Sequence, residues 1–372
     1  MLADMNTNLT TRRDFLKTST LAAASLPLAG LLAATGRAAD PGRKLGFALV
    51  GLGGLSTHQI APALQKTQYC RLAGIVTGTP AKAERWKAQY NIPDQNIYNY
   101  ETMGRMADNP DIDVVYVVTP NGLHAEHTLK AAKAGKHVLS EKPMEVSPEK
   151  CQQMIDACQQ AGRQLAVGYR LHFDPTHQEC IRLVREKVFG AVKLIEASFG
   201  FRIGDPSQWR LKRALSGGGP LMDVGIYALQ ATRYLTGEEP VEISAMATTT
   251  DPVKFKDIEE SLVWQARFPG GVMAHCSTSY AIGRDEFRVS AENGWFDLDP
   301  AYDYNGIHGR RSDGQEIRIP GIDQFAAEMD DFAQCILNNR PTRVPGEEGL
   351  RDLKLMMAIY ESARTGKTVK VT

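Results

Sequence analysis

The chain has 372 residues, and its 43 basic and 43 acidic side chains give a formal net charge of zero. Because no basic run or stripe stands out against this balance, nucleic acid and anionic membrane surfaces are poor candidate partners. A chain of this length usually forms more than one hydrophobic core, so we expect two domains.

The N-terminal segment has the features of an export signal. Arg12 and Arg13 are adjacent, and an apolar stretch follows at residues 21–34. This order is typical of a twin-arginine signal, which is read by the twin-arginine export machinery. The stretch contains a proline and is too short for a convincing membrane span, although an uncleaved membrane anchor is the alternative. We therefore predict a cleaved signal peptide at residues 1–39 and a periplasmic mature protein with no membrane segment.

The six cysteines give no signature of a metal site or a disulfide framework. None lies in a CxxC pair or in a cluster with metal-ligand spacing. Cys151 and Cys158 are seven residues apart on a predicted helix, which separates them by about 10 Å of rise and is too far for a disulfide. We expect no metal and buried free thiols.

From residue 44 to about residue 168, short apolar segments alternate with amphipathic ones. The predicted strands are residues 45–50, 71–77, 114–119, 137–140 and 164–168. The predicted helices are residues 58–66, 80–90, 124–134 and 148–161. Short apolar strands separated by helices indicate a doubly wound parallel sheet, so we assign residues 40–165 to an α/β domain of the Rossmann type.

After residue 168 the pattern changes to longer β-prone segments. The predicted strands are residues 191–201, 241–250, 260–268, 271–280, 287–291 and 294–298. The predicted helices are residues 175–186, 219–235, 323–338 and 347–363. This pattern indicates an α+β domain with an open, largely antiparallel sheet and flanking helices. We assign residues 166–372 to this domain and expect it to bind substrate and to form the oligomer.

A glycine turn follows the first predicted strand. Gly51 and Gly53 supply the first two glycines of a GxGxxG pattern, and Ser56 stands at the third position. Glycine allows the tight turn and the close approach of the backbone to a pyrophosphate, and the next helix offers free N–H groups to the phosphates. Between a strand and a helix, the turn predicts a dinucleotide site.

The end of the second strand distinguishes between the two nicotinamide cofactors. NAD enzymes usually place Asp or Glu there to bind the ribose 2′-hydroxyl. This chain instead has Thr77, followed by Lys82 and Arg85 within two helical turns. A hydroxyl and two cations suit a 2′-phosphate, so we predict NADP. The alternative is that the two cations form only a solvated helix face.

Two further segments carry candidate chemical groups. Lys142 follows the fourth strand, at the sheet edge where this fold binds ligands, and Pro143 restricts the backbone beside it. Asp223 and Tyr227 lie four residues apart on one predicted helix face. Oxidation of a sugar hydroxyl needs a base, and an ammonium group beside a tyrosine favours the phenolate. The alternative is a buried helix in which Asp and Tyr are incidental.

Several motifs together resemble one enzyme family. They are residues 120–126, 134–138, 141–144, 168–175, 208–211, 217–227 and 345–349. On these motifs, which extend over nearly the whole chain after residue 44, the sequence is identified as a member of the Gfo/Idh/MocA oxidoreductase family. Many members carry histidine where Tyr227 stands. The tyrosine resembles the glucose–fructose oxidoreductase branch, or a related exported branch that uses aldoses in both half-reactions.

The resemblance implies roles for individual residues. Lys142 would be the active-site lysine, Asp223 would orient the sugar, and Tyr227 would donate and accept the proton. Together with the turn and the second strand, it gives an expected set of cofactor contacts: Gly51, Gly53, Gly54, Leu55, Thr77, Lys82, Arg85, Pro120, Asn121, His124, Glu141, Lys142, Trp209 and Arg210. Tyr169, Arg170 and His172 would line the sugar pocket, with a purely structural histidine as the equal alternative for His172.

The chain departs from the glucose–fructose branch at one point. There, a long proline-rich arm follows the signal and wraps a neighbouring subunit. Here only a few residues separate the predicted cleavage site from residue 45. The open sheet can still pair face to face, so we expect a homodimer rather than a tetramer.

Export and a nicotinamide site together constrain the reaction. We expect no free nicotinamide pool outside the inner membrane, so the enzyme would carry its NADP and restore its redox state on the enzyme. This predicts ping-pong transfer, in which an aldose is oxidised at C1 to the lactone and a second sugar is reduced to the alditol. The alternatives are a one-way NADP-dependent sugar dehydrogenase or reductase, an NAD-dependent glycosidase and a non-catalytic sugar sensor.

Overall fold

The computed structural model describes residues 42–371. The predicted signal peptide, residues 1–39, lies outside these residues. The part from Gly42 onward is one compact unit that contains both predicted sheets.

The first sheet has six parallel strands in the order β3-β2-β1-β4-β5-β6. Their bounds are β1 (Leu45–Val50), β2 (Cys70–Val76), β3 (Ile97–Tyr98), β4 (Val114–Val117), β5 (His137–Glu141) and β6 (Leu165–Gly168). The helices are α1 (Ala61–Leu64), α2 (Pro80–Tyr90), α3 (His124–Lys133) and α4 (Pro148–Gln160). Every residue of β1 and β4 is buried, as expected for strands covered on both faces. The predicted doubly wound parallel sheet is confirmed.

The second sheet has nine strands in the order β14-β13-β12-β11-β7-β10-β9-β8-β15. Their bounds are β7 (Val192–Gly200), β8 (Glu242–Thr248), β9 (Ser261–Arg267), β10 (Met273–Ser279), β11 (Arg284–Ala291), β12 (Gly294–Leu298), β13 (Gly309–Arg311), β14 (Glu316–Ile317) and β15 (Val369–Lys370). The helices are α5 (Pro175–Arg185), α6 (Arg213–Ser216), α7 (Ile226–Thr236), α8 (Gln324–Leu337) and α9 (Gly346–Thr365). Strands β7 and β10 are parallel and the other neighbours are antiparallel. The predicted open, largely antiparallel sheet is confirmed.

One face of the second sheet is buried and the other is open. Along β9, Leu262 and Trp264 are buried, whereas Val263 and Gln265 are exposed. This alternation is the signature of a sheet with helices on one face only. The buried face packs against α7, which carries Tyr227 at its start.

All six cysteines are buried and unpaired, as we expected. Across residues 42–371, none of the helices has the length and apolar character needed to cross a bilayer. The same residues hold no group of three or more His, Cys, Asp or Glu side chains arranged around a metal position.

Candidate active site

The parallel sheet brings the glycine turn and the lysine segment to one edge. Val50 at the end of β1 pairs with Val117 of β4, and Val117 pairs with Ser140 of β5. Gly51 and Lys142 therefore leave the carboxyl ends of strands that are separated by one strand. This edge is where doubly wound sheets bind their ligands.

The turn after β1 has the geometry of a dinucleotide cradle. Gly51 has a φ of +93°, and a Cβ atom there would lie 2.8 Å from the carbonyl oxygen of Val118. The hydroxyl of Ser56 donates to the Gly51 carbonyl oxygen at 2.5 Å and closes the turn where a third glycine was expected. At Gly53 and Gly54, a Cβ atom would meet nothing within 4 Å. This open space fits a pyrophosphate, and the missing side chains leave room for it. Leu55 packs against the core.

The end of β2 has the chemistry of a 2′-phosphate site. Residues 77–83 carry no carboxylate. The Lys82 ammonium lies 3.1 Å from the carbonyl oxygen of Leu52, so it reaches the glycine turn from α2. Arg85 is exposed on the same helix, and the Thr77 hydroxyl accepts the N–H of Thr79 at 3.2 Å. These residues fit NADP better than NAD.

The segment after β4 serves mainly to hold neighbouring loops. The Asn121 side-chain amide donates to the Ser216 carbonyl oxygen at 2.9 Å. His124 is fully buried, with Nε2 at 2.7 Å from the Thr119 oxygen and Nδ1 at 3.0 Å from the Pro143 oxygen. We expected Pro120, Asn121 and His124 to contact the cofactor. These contacts stay predictions, and the structure adds that the side chains of Asn121 and His124 also bond backbone groups of neighbouring loops.

Lys142 lies at the centre of the candidate site. Its ammonium donates to the Asp223 backbone oxygen at 2.7 Å and is 3.8 Å from Oδ1 of the same residue. It also lies 4.8 Å from the centre of the Tyr227 ring. The side chains of Lys142 and Asp223 are each 12% exposed, which leaves them accessible to a small ligand. The three predicted catalytic residues are therefore neighbours.

Arg170, not Lys142, is the cation at the Tyr227 hydroxyl. Its Nε donates to that hydroxyl at 3.3 Å, whereas Lys142 lies over the face of the ring. Burial opposes the charge, but the oxygens of Tyr227 and Tyr304 outweigh it and raise the pKa of Arg170. Arg170, which we assigned only to the pocket lining, therefore adds a second cation beside Tyr227 to the one expected from Lys142. We call Lys142, Arg170, Asp223 and Tyr227 the Lys142 cluster.

Arg170 also positions a loop that the sequence could not place. Its guanidinium donates to the backbone oxygens of Tyr302 and Asp303, the latter at 3.2 Å. It lies 4.6 Å from the centre of the Tyr304 ring, which is 40% exposed. Tyr304 therefore stands at the edge of the Lys142 cluster, where it can contact a bound sugar.

Asp223 is held as an anion by two groups. Its Oδ2 accepts from Arg210 Nε at 2.7 Å and from the Tyr280 hydroxyl at 3.1 Å. Burial raises its pKa, but Arg210 and Lys142 outweigh this and the pKa of Asp223 falls below its ordinary value. Arg210 also stacks over Trp209 at 4.7 Å. The expected contacts of Trp209 and Arg210 with the cofactor stay predictions, and the structure shows that Arg210 Nε also pairs with Asp223.

The glycine run before Asp223 is explained by close packing. A Cβ atom at Gly218 would lie 2.0 Å from the Tyr360 hydroxyl, and one at Gly219 would lie 2.3 Å from the Glu259 backbone oxygen. The Gly219 N–H donates to the Glu259 carboxylate at 3.0 Å. A π-helical turn over Leu221–Gly225 then leads into α7, a feature that is frequent at functional sites. Glu259 and Tyr360 thus position Asp223, and no sequence motif indicated them.

Glu141 lies under the site rather than in it. Its buried carboxylate accepts from the Tyr116 hydroxyl at 2.7 Å, and burial raises its pKa despite the neighbouring Lys142. A Cβ atom at Gly168 would lie 3.1 Å from this carboxylate, so the glycine leaves the space that it occupies. The expected contact of Glu141 with the cofactor stays a prediction, and the structure shows that its carboxylate also holds Tyr116.

Tyr169 and His172 belong to a neighbouring group. Both are close to α7 and α9: His172 Nε2 lies 3.3 Å from the Gln230 side-chain oxygen, and burial together with nearby Asp352 raises the pKa of Tyr169. Their rings pack against each other, and the His172 ring also packs against Tyr234. Within residues 42–371, these contacts do not include the Lys142 cluster. The expected pocket-lining roles of Tyr169 and His172 therefore stay predictions, and the structural alternative for His172 gains support.

The Lys142 cluster can bind an oxygen atom and exchange a proton with it. Two cations lie against the Tyr227 phenol, and the Asp223 carboxylate lies next to one of them. Such a constellation fits interconversion of an alcohol and a carbonyl beside a dinucleotide.

Comparison with known proteins supports this interpretation. Residues 45–169 match the family model described as an oxidoreductase family with an NAD-binding Rossmann fold, and residues 177–297 match the GFO/IDH/MocA C-terminal domain. The chain belongs to the Gfo/Idh/MocA oxidoreductase family. The predicted family membership is confirmed.

Individual relatives of this oxidoreductase act on sugars. It is 31% identical to the D-xylose 1-dehydrogenase [NADP(+)] of Haloarcula marismortui, over 87% of this chain and 92% of that protein. The structure of aldose-aldose oxidoreductase from Caulobacter crescentus, complexed with glycerol, is 46% identical with a TM-score of 0.86, covering 88% of this chain and 100% of that one. Scyllo-inositol dehydrogenase from Lactobacillus casei shares the fold, at 23% identity and a TM-score of 0.73 over 88% of this chain and 99% of that one.

Proposed function

We propose that this oxidoreductase is a periplasmic enzyme that retains NADP(H) and transfers hydride between two sugars. One aldose is oxidised at C1 to the aldonolactone, and a second sugar, an aldose or a ketose, is reduced to the alditol. The observation that carries the proposal is the Lys142 cluster, in which the Tyr227 hydroxyl accepts from Arg170 beside Lys142 and Asp223.

The residues of the cluster divide the chemistry between them. When bound, NADP supplies the hydride acceptor, and once reduced it supplies the donor. Tyr227 takes the proton from the C1 hydroxyl as the C1 hydrogen leaves, and returns it to the carbonyl oxygen of the second sugar. Lys142 binds that oxygen, and Asp223 accepts a hydrogen bond from a neighbouring hydroxyl. Arg170 stabilises the phenolate form of Tyr227, which is present before the first proton transfer and is restored by the second.

The choice of NADP rests on the end of β2. Lys82 and Arg85 offer two cations, and residues 77–83 offer no carboxylate to a ribose 2′-hydroxyl. The similarity to a D-xylose 1-dehydrogenase [NADP(+)] supports the same choice.

The proposed location rests on the predicted export signal, and the proposed homodimer rests on the open face of the second sheet. The twin-arginine pattern at Arg12 and Arg13 supports export, and export favours a cofactor that is retained because none is available outside. The open face of the second sheet supports a homodimer. Met246 on β8 is 74% exposed and pairs with Val263 on β9, and Met273 on β10 is also exposed.

The test is an absorbance spectrum of the extensively dialysed protein, before and after addition of glucose or xylose alone. We expect a new band at about 340 nm, the absorption of reduced nicotinamide, which a second sugar then removes. Extraction of the bound nucleotide should give NADP.

A second candidate function is a one-way sugar dehydrogenase that uses external NADP, which the similarity to the D-xylose dehydrogenase favours. Absence of bound cofactor, with turnover only when NADP is supplied, would establish that reading and refute retention. Release of a free sugar from a glycoside would instead indicate an NAD-dependent glycosidase.

A further inference from the structure

A pair of buried carboxylic groups lies beneath the Lys142 cluster. Tyr116, on β4, is fully buried, and its hydroxyl lies 2.7 Å from Oε1 of Glu141 and 3.4 Å from Oε2 of Glu328. Glu328 is on α8 and is 1% exposed. One phenol therefore bridges two carboxylic groups, of which one ends β5 and the other lies on α8.

There are too few hydrogen-bond donors for Glu141 and Glu328 both to be ionised. A phenol has one proton, and the shorter distance gives it to Glu141. Glu328 Oε1 then has no hydrogen-bond partner within residues 42–371, and Oε2 has no other donor there. An ionised carboxylate in this position would be buried with almost no hydrogen bonds, which is costly. A protonated Glu328 can instead donate to the Tyr116 oxygen.

The two groups differ in their charged surroundings. Burial raises the pKa of Glu141, but Lys142, which directly follows it, the Tyr116 hydroxyl and Arg170 all favour its ionised form. The titratable and charged groups that face Glu328 are Tyr116, Glu141 and Arg170. Burial and the charge of Glu141 raise the pKa of Glu328 well above its ordinary value, while Tyr116 and Arg170 act in the opposite direction. Of the two, Glu328 is the group that keeps its proton.

We propose that Glu328 is a neutral carboxylic acid in the folded protein and that, through Tyr116, it positions Glu141 as the anion beside Lys142 and Arg170. The hydrogen bonds then run in one direction, from Glu328 to the Tyr116 oxygen and from the Tyr116 hydroxyl to Glu141. Glu328 is a positioning residue, because it reaches the reacting groups only through this chain.

The unfolding test compares the wild type with E328Q, in which an amide replaces the acid. Above a pH of about 4.3 the unfolded glutamate loses its proton, whereas the folded wild type keeps it. The stability of the wild type should therefore fall as the pH rises, and that of E328Q should lack this component. We expect the Tm of E328Q relative to the wild type to increase by about 3 °C or more between pH 5 and pH 8. A difference in Tm that does not change with pH would overturn the proposal.

The kinetic test measures nicotinamide reduction by an aldose in a single turnover, and this arm rests on the proposed function. We expect E328L to react about tenfold more slowly, because the leucine cannot donate to Tyr116, and E328Q to recover most of this loss. E141Q, which removes the anion itself, should be slowed at least as much as E328L. The proposal is overturned if E328Q is as slow as E328L, or if E141Q reacts at the wild-type rate. If no sugar reduces the wild-type enzyme, the proposed function fails, while the unfolding test still decides the protonation of Glu328.

Discussion

Replacing Arg170 with methionine tests the electrostatic role of this residue at the Tyr227 hydroxyl. The substitution removes the cation whose Nε lies 3.3 Å from the phenol oxygen. At an effective dielectric constant of about 20, unit charges at that distance attract by about 5 kcal/mol. This is an upper limit, because the charge is spread over the guanidinium group. Hydrogen bonds to charged groups contribute about 1.5–3 kcal/mol, which corresponds to a decrease of about 10- to 150-fold in rate.

The assay is kcat/KM for aldose oxidation at neutral pH. We expect R170M to lower kcat/KM by about two orders of magnitude, in line with the free energies above.

A matched control separates this effect from a loss of structure. Gln324 accepts a hydrogen bond from Arg170 but is not in the Lys142 cluster, so Gln324→Leu should loosen Arg170 without removing its charge. We expect Q324L to lower kcat/KM much less than R170M does. An equal loss in the two variants would contradict the electrostatic role, since Arg170 would then act only by holding residues 302–304.

Four further outcomes are expected. Tyr227→Phe should lower kcat by about 10²- to 10⁴-fold while the bound nucleotide is retained, and loss of the nucleotide would contradict the assigned role. Gly53→Ala should leave the Tm of the nucleotide-free protein unchanged, because the added Cβ atom meets no other atom. The same variant should lose the bound nucleotide, and retention at the wild-type level would contradict the assignment of this turn as the pyrophosphate site. Arg233→Met should lower the free energy of unfolding by about 3–5 kcal/mol in chemical denaturation, because it unpairs buried carboxylates, and a loss below 1 kcal/mol would show that they adapt. Burial lowers the pKa values of His127 and His137 to about 4, so both side chains are neutral in the folded protein. Their contribution to the free energy of unfolding is complete above about pH 6.5 and should fall as the pH drops toward about 4. A variant with asparagine at both positions should therefore show a shallower fall in Tm over this range.

The core strands were predictable because their signal is local. Strands such as β1 and β4 are continuous apolar runs between turn-forming residues, and burial on both faces requires that composition. The short strands β3, β13, β14 and β15 have two or three residues each, so they carry no periodic pattern. They form because longer neighbours offer them hydrogen bonds, which is a tertiary effect.

In the candidate site, too, local sequence patterns indicate some features and others depend on tertiary contacts. Lys142, Asp223 and Tyr227 lie in recognisable segments, and the structure brings them together. The partner of each group was not predictable, because it comes from a distant part of the chain. Arg170 is 57 residues from Tyr227, and Tyr280 is 57 residues from Asp223. Sequence spacing indicates which residue types are available, but only the packed fold determines which cation meets which oxygen.

Transfer of label between two sugars tests the central claim most directly. The protein would be given an aldose deuterated at C1, an unlabelled second sugar and a large excess of free NADPH. If hydride passes on retained NADP held at the Lys142 cluster, the alditol should carry the deuterium undiluted, and the free NADPH should carry none. Deuterium in the free cofactor, with a mostly unlabelled alditol, would contradict retention and show that the enzyme exchanges its cofactor at each turnover.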